Sequence, residues 1–168
     1  MPEVFVAAGS NVEPLRHLGA ALRALAERYG VLRLSPVYRN PPQGGDGPEF
    51  LNMVLGFDTE DTAESVAATL RAVEAANGRG DAPARSGPCT LDLDLLLYGE
   101  LVLETETVRV PRADITRYPF VLRPLAELAG ERRHPVLGTT YGELWAGWAG
   151  GPHPMTRETV DFTAEAGP

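Results

Sequence analysis

Apolar and polar positions along the chain follow two periods, one of about two residues and one of 3.6, and these lay out the elements. Val4 to Ala8 is a short apolar run that predicts a buried strand, followed by a turn at Gly9-Ser10-Asn11. A helix is predicted from Pro14, a residue suited to a first helical turn. Leu15, Leu18, Leu22, Leu25 and Tyr29 form its apolar stripe, and Gly30 ends it. Val31 to Tyr38 predicts a second strand that Pro36 interrupts, placing it near an edge or a bulge. Asn40 to Pro48 is too rich in Pro and Gly for regular structure and predicts a loop. Glu49 to Asp58 then alternates as a third strand. Phe50, Asn52 and Val54 share one face, and Leu51, Met53, Leu55 and Phe57 share the other.

Asp61 with Glu64 predicts a capping box opening a second helix, with Val66, Leu70 and Val73 as its stripe and Gly78 as its C-terminal cap. After a loop from Arg79 to Pro88, Thr90 to Tyr98 predicts a central strand. A hairpin follows (Leu101 to Leu103, Val108 to Val110), then a helix over Pro119 to Leu128 that packs Val121, Leu122 and Leu125. A last short helix is predicted near Tyr141 to Trp148. The order strand, helix, strand, strand, helix, strand predicts an α+β fold, a ferredoxin-like βαββαβ sandwich with helices on one face. The hairpin and the C-terminal helices are additions to it. One catalytic domain is expected over residues 1–149, with 150–168 as a flexible C-terminal tail.

Composition narrows the function. A net charge of −8 argues against non-specific binding to nucleic acid or to acidic membranes. No apolar run is long enough to span a bilayer, and the N-terminus lacks the basic and apolar regions of a signal peptide, so a cytoplasmic location is expected. The single cysteine, Cys89, excludes an internal disulfide and a multi-cysteine zinc site. All fifteen basic residues are Arg. Without Lys, neither P-loop nor protein-kinase chemistry is available, since both place a lysine on the phosphates.

The chemistry concentrates in Thr90-Leu91-Asp92-Leu93-Asp94-Leu95. Strand alternation puts Asp92 and Asp94 on one face and the leucines on the other. Two neighbouring carboxylates repel and lose hydration, which is costly unless a cation neutralises them. With oxygen ligands only, magnesium shared with substrate phosphates is the natural ion. The alternative is the wet face of a half-exposed strand. Upstream, Arg79 and Arg85 sit among Gly78, Gly80 and Gly87. Arginines on a glycine-rich loop suit nucleotide phosphates, or else form a solvated charged loop. Glu74 is equally a surface carboxylate or a ligand contact.

Taken in order, Gly9-Ser10-Asn11, Tyr38-Arg39-x-Pro41-Pro42, Phe50-Leu51-Asn52, Gly87-Pro88-x-Thr90-Leu91-Asp92-Leu93-Asp94, Val110-Pro111 and Phe120-Val121-Leu122-x-Pro124-Leu125 resemble one family. It is the 6-hydroxymethyl-7,8-dihydropterin pyrophosphokinases of folate biosynthesis, and the resemblance runs from Val4 to about Leu128. It implies an ATP- and magnesium-dependent transfer of pyrophosphate to the pterin hydroxymethyl group. By resemblance, Asp92 and Asp94 hold the magnesium ions, two in number. Phe50 and Phe120 sandwich the pterin, Asn52 bonds its polar edge, and the backbone from Asn40 through Pro41 to Gln43 completes the pocket. Glu74, Arg79, Arg85, Arg112 and Arg117 lie on the ATP side, with Arg79 and Arg112 counted among the catalytic groups. Phe50 and Phe120 are also compatible with plain core packing. A monomer acting on small molecules is expected.

The chain departs from the family pattern on the phosphate side. Cys89 stands where Arg is usual, Ser86 where Trp is usual, and Asp81 where Arg is common. Arg112 replaces a His, and Tyr118 replaces an Arg, with Arg117 displaced by one. These positions separate an enzyme from a second reading, a non-catalytic pterin- or nucleotide-binding paralogue. A third class, a ferredoxin-like RNA-binding module, is disfavoured by the acidic charge and by central strands without interleaved Arg and aromatics.

Overall fold

The structure is a computed structural model, and it describes residues 1–42, 46–79 and 88–162. Its elements are β1 (Glu3–Ser10), α1 (Pro14–Tyr29), β2 (Arg33–Leu34), β3 (Val37–Asn40), β4 (Phe50–Asp58), α2 (Ala63–Ala76) and β5 (Asp92–Tyr98). The chain continues as β6 (Leu103–Glu104), β7 (Arg109–Val110), α3 (Asp114–Arg117), α4 (Pro119–Ala129), α5 (Tyr141–Ala146) and β8 (Thr156–Glu158). The main sheet is antiparallel in the order β5-β1-β4-β3-β8, with β2 also on β4. The α+β sandwich expected from the element order is the fold observed.

The alternation in β4 divides the core in two. Leu51, Met53, Leu55 and Phe57 face α1 and α2, meeting Leu18, Leu22, Leu25, Val66 and Leu70. Val54 faces the other way, into a second cluster with Val121, Leu122 and Leu125 of α4 and Tyr141 of α5. Helices therefore cover both faces, where one was expected. The C-terminal helices take up the second face because Phe5, Val54 and Leu96 leave an apolar surface there.

Several boundaries move for local reasons. The predicted second strand breaks at Pro36, which cannot donate a ladder bond, leaving β2 and β3. Ser35 bridges the gap, its N–H donating to Val54 O and its hydroxyl accepting from Val54 N. The cap of α2 is Thr62, whose hydroxyl accepts from Ser65 N, and the expected Asp61 instead pairs with Arg28 at 2.7 Å. β1 runs through Gly9 to Ser10, where a turn was expected. β5 begins at Asp92 and lies at the sheet edge, a correction to its expected central place. Arg112 N donates to Leu96 O across that edge. The hairpin is narrower than expected, Leu103 pairing with Val110 and Glu104 with Arg109.

The tail departs most. Thr156–Glu158 of the segment expected to be loose pairs with β3 as Val37↔Glu158, Tyr38↔Arg157 and Arg39↔Thr156. Beyond it, Val160 and Phe162 pack on the α1 side of the core. Among the described residues, no helix is long and apolar enough to cross a membrane.

Candidate functional site

Sheet register assembles the floor of the site. Gly9 of β1 pairs with Asp92 on one side and Asn52 on the other, so three neighbouring strands present Asp92, Gly9 and Asn52 in one row. Ala7 stands likewise between Asp94 and Val54. Small residues at the middle strand keep this floor open: a Cβ on Gly9 would lie 2.5 Å from Asn52 Oδ1. Above it sits a pocket lined by Asn40, Pro41, Pro42, Phe50, Asn52 and Phe120 among others, with Asp92 and Asp94 at its side. Asn52 Nδ2 donates to Asn40 Oδ1 at 2.6 Å, and Asn40 Nδ2 donates to Pro41 O at 3.1 Å. Those bonds tie the loop after β3 to the strand face that carries Asn52. Phe120, in the first turn of α4, stacks on Tyr118 with centroids 5.1 Å apart and planes 18° from parallel.

A second cavity opens along the outer edge of β5 and is polar. Arg71, Glu74, Arg79, Arg109 and Arg112 line it, together with Asp92 and Asp94. Arg79 Nη1 donates to Asp92 Oδ1 at 2.9 Å, to Glu74 Oε2 at 2.7 Å and to Leu91 O at 3.1 Å. Glu74 Oε2 also accepts from Leu93 N at 2.8 Å, which fixes the end of α2 against β5. Burial pushes the Glu74 carboxyl above its ordinary range, while the Leu93 bond and the Arg79 charge act against that shift. On the other carboxylate, Arg112 Nη2 stands 3.5 Å from Asp94 Oδ1, and Arg112 Nε stands 3.2 Å from Asp114 Oδ2. Each aspartate thus has a guanidinium beside it, the positive charge that a paired-carboxylate site calls for.

The loop ahead of β5 is clipped to the end of β1. Asn11 Oδ1 accepts from Cys89 N at 2.7 Å, and Asn11 N donates to Cys89 O at 3.0 Å. Gly9-Ser10-Asn11 therefore combines an open floor with a staple, and the staple sets where Asp92 begins its strand. Cys89 is buried, and burial pushes its thiol up to about 11, which suits a small core filler and not a nucleophile.

The predicted residues sort as follows. Asn40, Pro41, Phe50, Asn52 and Phe120 share the first pocket; Glu74, Arg79 and Arg112 share the second; Asp92 and Asp94 line both. Arg117 is not brought to either. It ends the four-residue helix α3, is exposed, and lines a separate groove with Leu137 and the far side of Arg112. A residue displaced by one along a short helix points elsewhere, so it does not take the place of the missing Arg. Gln43 and Arg85, with the departures at Asp81 and Ser86, lie outside the described residues. Arg71 and Arg109 were not anticipated, because each looks like an ordinary charge on an exposed face. The i, i+3 spacing of Arg71 to Glu74 on α2 was the available signal.

Among the described residues, no group of three or more His, Cys, Asp or Glu forms a ready-made metal site. The donor set fits magnesium all the same: two carboxylates on one strand face, oxygen ligands only, with phosphate oxygens and water left to complete the shell.

Comparison with known proteins identifies the family. The family model for 7,8-dihydro-6-hydroxymethylpterin-pyrophosphokinase (HPPK) matches residues 5–130. The 2-amino-4-hydroxy-6-hydroxymethyldihydropteridine pyrophosphokinase of Pseudomonas aeruginosa is 42% identical over 137 residues, covering 79% of this chain and 83% of that protein. Its counterpart from Haemophilus influenzae is 33% identical over 135 residues, covering 78% and 84%. In fold, the chain is similar to a crystal structure of wild-type Plasmodium falciparum HPPK-DHPS, with a TM-score of 0.65 at 12% identity. That match covers 86% of this chain and 44% of the other, so the chain spans less than half of that solved structure. By the family match and by both relatives, the chain belongs to the 7,8-dihydro-6-hydroxymethylpterin-pyrophosphokinase family of enzymes.

Proposed function

We propose that the chain transfers the β,γ-pyrophosphoryl group of ATP to the hydroxymethyl oxygen of 6-hydroxymethyl-7,8-dihydropterin, with magnesium held by Asp92 and Asp94. One observation carries the reading: Asp92 and Asp94 are the two described residues common to the pocket lined by Phe50 and Phe120 and to the arginine-lined cavity. A flat heteroaromatic acceptor suits the first, which offers aromatic faces and a pair of asparagine amides. A polyphosphate donor suits the second. The reacting atoms then meet at the two carboxylates.

In the reaction, the acceptor oxygen bonds to the β-phosphorus as the bond from that phosphorus to the α,β-bridging oxygen breaks. AMP leaves, and the hydroxyl proton is released. When bound, magnesium supplies charge neutralisation on the phosphate oxygens and fixes their orientation. The chain's own residues do the rest. Asp92 and Asp94 release their guanidinium partners, which frees Arg79 and Arg112 to follow the phosphates. Arg71 and Arg109 add charge on the same wall, and Phe50, Phe120 and Asn52 fix the acceptor. Positioning and charge are what phosphoryl transfer asks of a protein, so no general base is needed.

The test is AMP formation from ATP, magnesium and hydroxymethyl dihydropterin by the purified chain. AMP and the pterin diphosphate should appear in equal amounts, and a chelator should abolish both. Pterin binding without AMP would establish the non-catalytic paralogue in place of the enzyme.

A further inference from the structure

β3 and α4 run as two rails, and the pterin pocket lies between their ends. On β3, Tyr38 and Asn40 are two residues apart and share one face, about 7 Å from each other along the strand. On α4, Phe120, Arg123 and Glu127 fall at i, i+3 and i+7, one stripe about 10 Å long. Asn40 and Phe120 line the pocket, while Tyr38, Arg123 and Glu127 meet at the other end.

That meeting is densely bonded. The Tyr38 hydroxyl donates to Glu127 Oε1, and Tyr38 is 1% exposed. The Arg123 guanidinium lies over the Tyr38 ring, 4.8 Å from its centroid, and its Nε is 3.4 Å from Glu127 Oε1. Strand β8 closes the junction from outside. Arg157, paired with Tyr38 in register, reaches within 3.8 Å of Glu127 Oε2. On the opposite face, Arg39 Nε donates to Glu158 Oε1 at 2.6 Å. β8 lies beyond residue 130, outside the segment that the family model matches.

We propose that Tyr38, Glu127 and Glu158 are positioning residues that set the separation of the two pocket walls. The tail strand β8 is then part of the substrate-binding apparatus, although it touches no substrate. A small rotation of β3 against α4 at the clamp moves Asn40 relative to Phe120, and Asn40 in turn holds Asn52. Loosening the clamp therefore weakens the acceptor, while the arginine-lined cavity on the far side of β5 keeps its shape. This rests on the pterin reading above.

The experiment compares the wild-type chain with Tyr38→Phe, Glu127→Gln and Glu158→Arg, all full length. It reads pterin affinity by fluorescence titration, the KM for ATP from AMP release, and Tm. Loss of a hydrogen bond to a charged group shifts an equilibrium by about tenfold, and the clamp passes only part of this to the pocket, so pterin Kd should rise by about threefold to tenfold in the first two variants. The KM for ATP should stay within about twofold of wild type. The Tyr38→Phe/Glu127→Gln double variant should lose less than the sum of the two single losses, since both changes weaken the same Tyr38–Glu127 bond, although Gln keeps an acceptor and also gives up the charge facing Arg123 and Arg157. Arg39→Glu added to Glu158→Arg should restore the affinity that Glu158→Arg loses. Unchanged pterin affinity in the variants overturns the inference, as does a parallel rise in pterin Kd and ATP KM with falling Tm. A wild-type chain that binds no pterin removes the pterin reading itself, and this inference with it.

Discussion

A Cβ on Gly9 would meet the tip of Asn52, a flexible side chain, at 2.5 Å. Gly9→Ala is therefore expected to push Asn52 off its place with little effect on the fold. Pterin Kd should rise by about tenfold, the cost of one misplaced hydrogen-bonding group, while Tm stays within a few degrees of wild type. His134 makes a different kind of single-residue statement. Its Nδ1 accepts from Val136 N at 3.2 Å and from Leu137 N at 3.1 Å, so protonation there breaks two backbone bonds. Burial holds its folded value below the ordinary histidine value of about 6.5. The folded state then binds fewer protons than the unfolded one. Its stabilising contribution is complete above about pH 6.5 and is lost as pH falls through the lowered folded value. Urea unfolding from pH 7.5 down to 5 should show stability falling by at most about 1.4 kcal/mol per pH unit from this group. His134→Gln should flatten that slope. At this scale the sequence was readable where a pattern constrained it: Asp92 and Asp94 stand out because a two-residue period in an apolar strand puts both on one face. Arg71 and Arg109 carried no such pattern, and only the fold brings them beside the carboxylates.

Among the elements, β5 depends on a contact far away in sequence. Asn11 at the end of β1 accepts from the buried Cys89 N, and that bond fixes the residues leading to Asp92. Asn11→Ala leaves a buried N–H unpaired, so a loss of about 1–3 kcal/mol is expected in chemical denaturation. On the proposed reading turnover should fall further than pterin affinity, because the carboxylates move while Asn52 and the two Phe side chains of the first pocket do not. α1 and β4 were legible because burial on one side imposes a period on their apolar residues. The edge position of β5 was not, since its apolar run reads the same in a central strand as in an edge strand covered by a hairpin. β8 was not either: Thr-Arg-Glu carries no alternation, and its place is held by backbone pairing and by the Arg39–Glu158 bridge. α3 was missed for the same reason, being four residues long with two of them buried.

For the molecule as a whole, the antiparallel sheet brings two cavities, one with aromatic walls and one rich in arginine, against a single pair of side chains. A pocket lined by two Phe and two Asn side chains lies over the β1–β4 floor, a charged one lies along the β5 edge, and Asp92 and Asp94 belong to both. The acidic net charge is no obstacle, because four arginines on one wall set the local field against the three carboxylates there. The most direct test of this account is to follow turnover and pterin affinity side by side in Asp94→Asn, with ATP and magnesium saturating. Removing one such charged group is expected to lower turnover by about 10²-fold or more. Pterin affinity should stay within about threefold of wild type, because the aromatic faces and asparagine amides are untouched. Undiminished AMP formation in Asp94→Asn would contradict the claim that the two substrates react at this carboxylate pair.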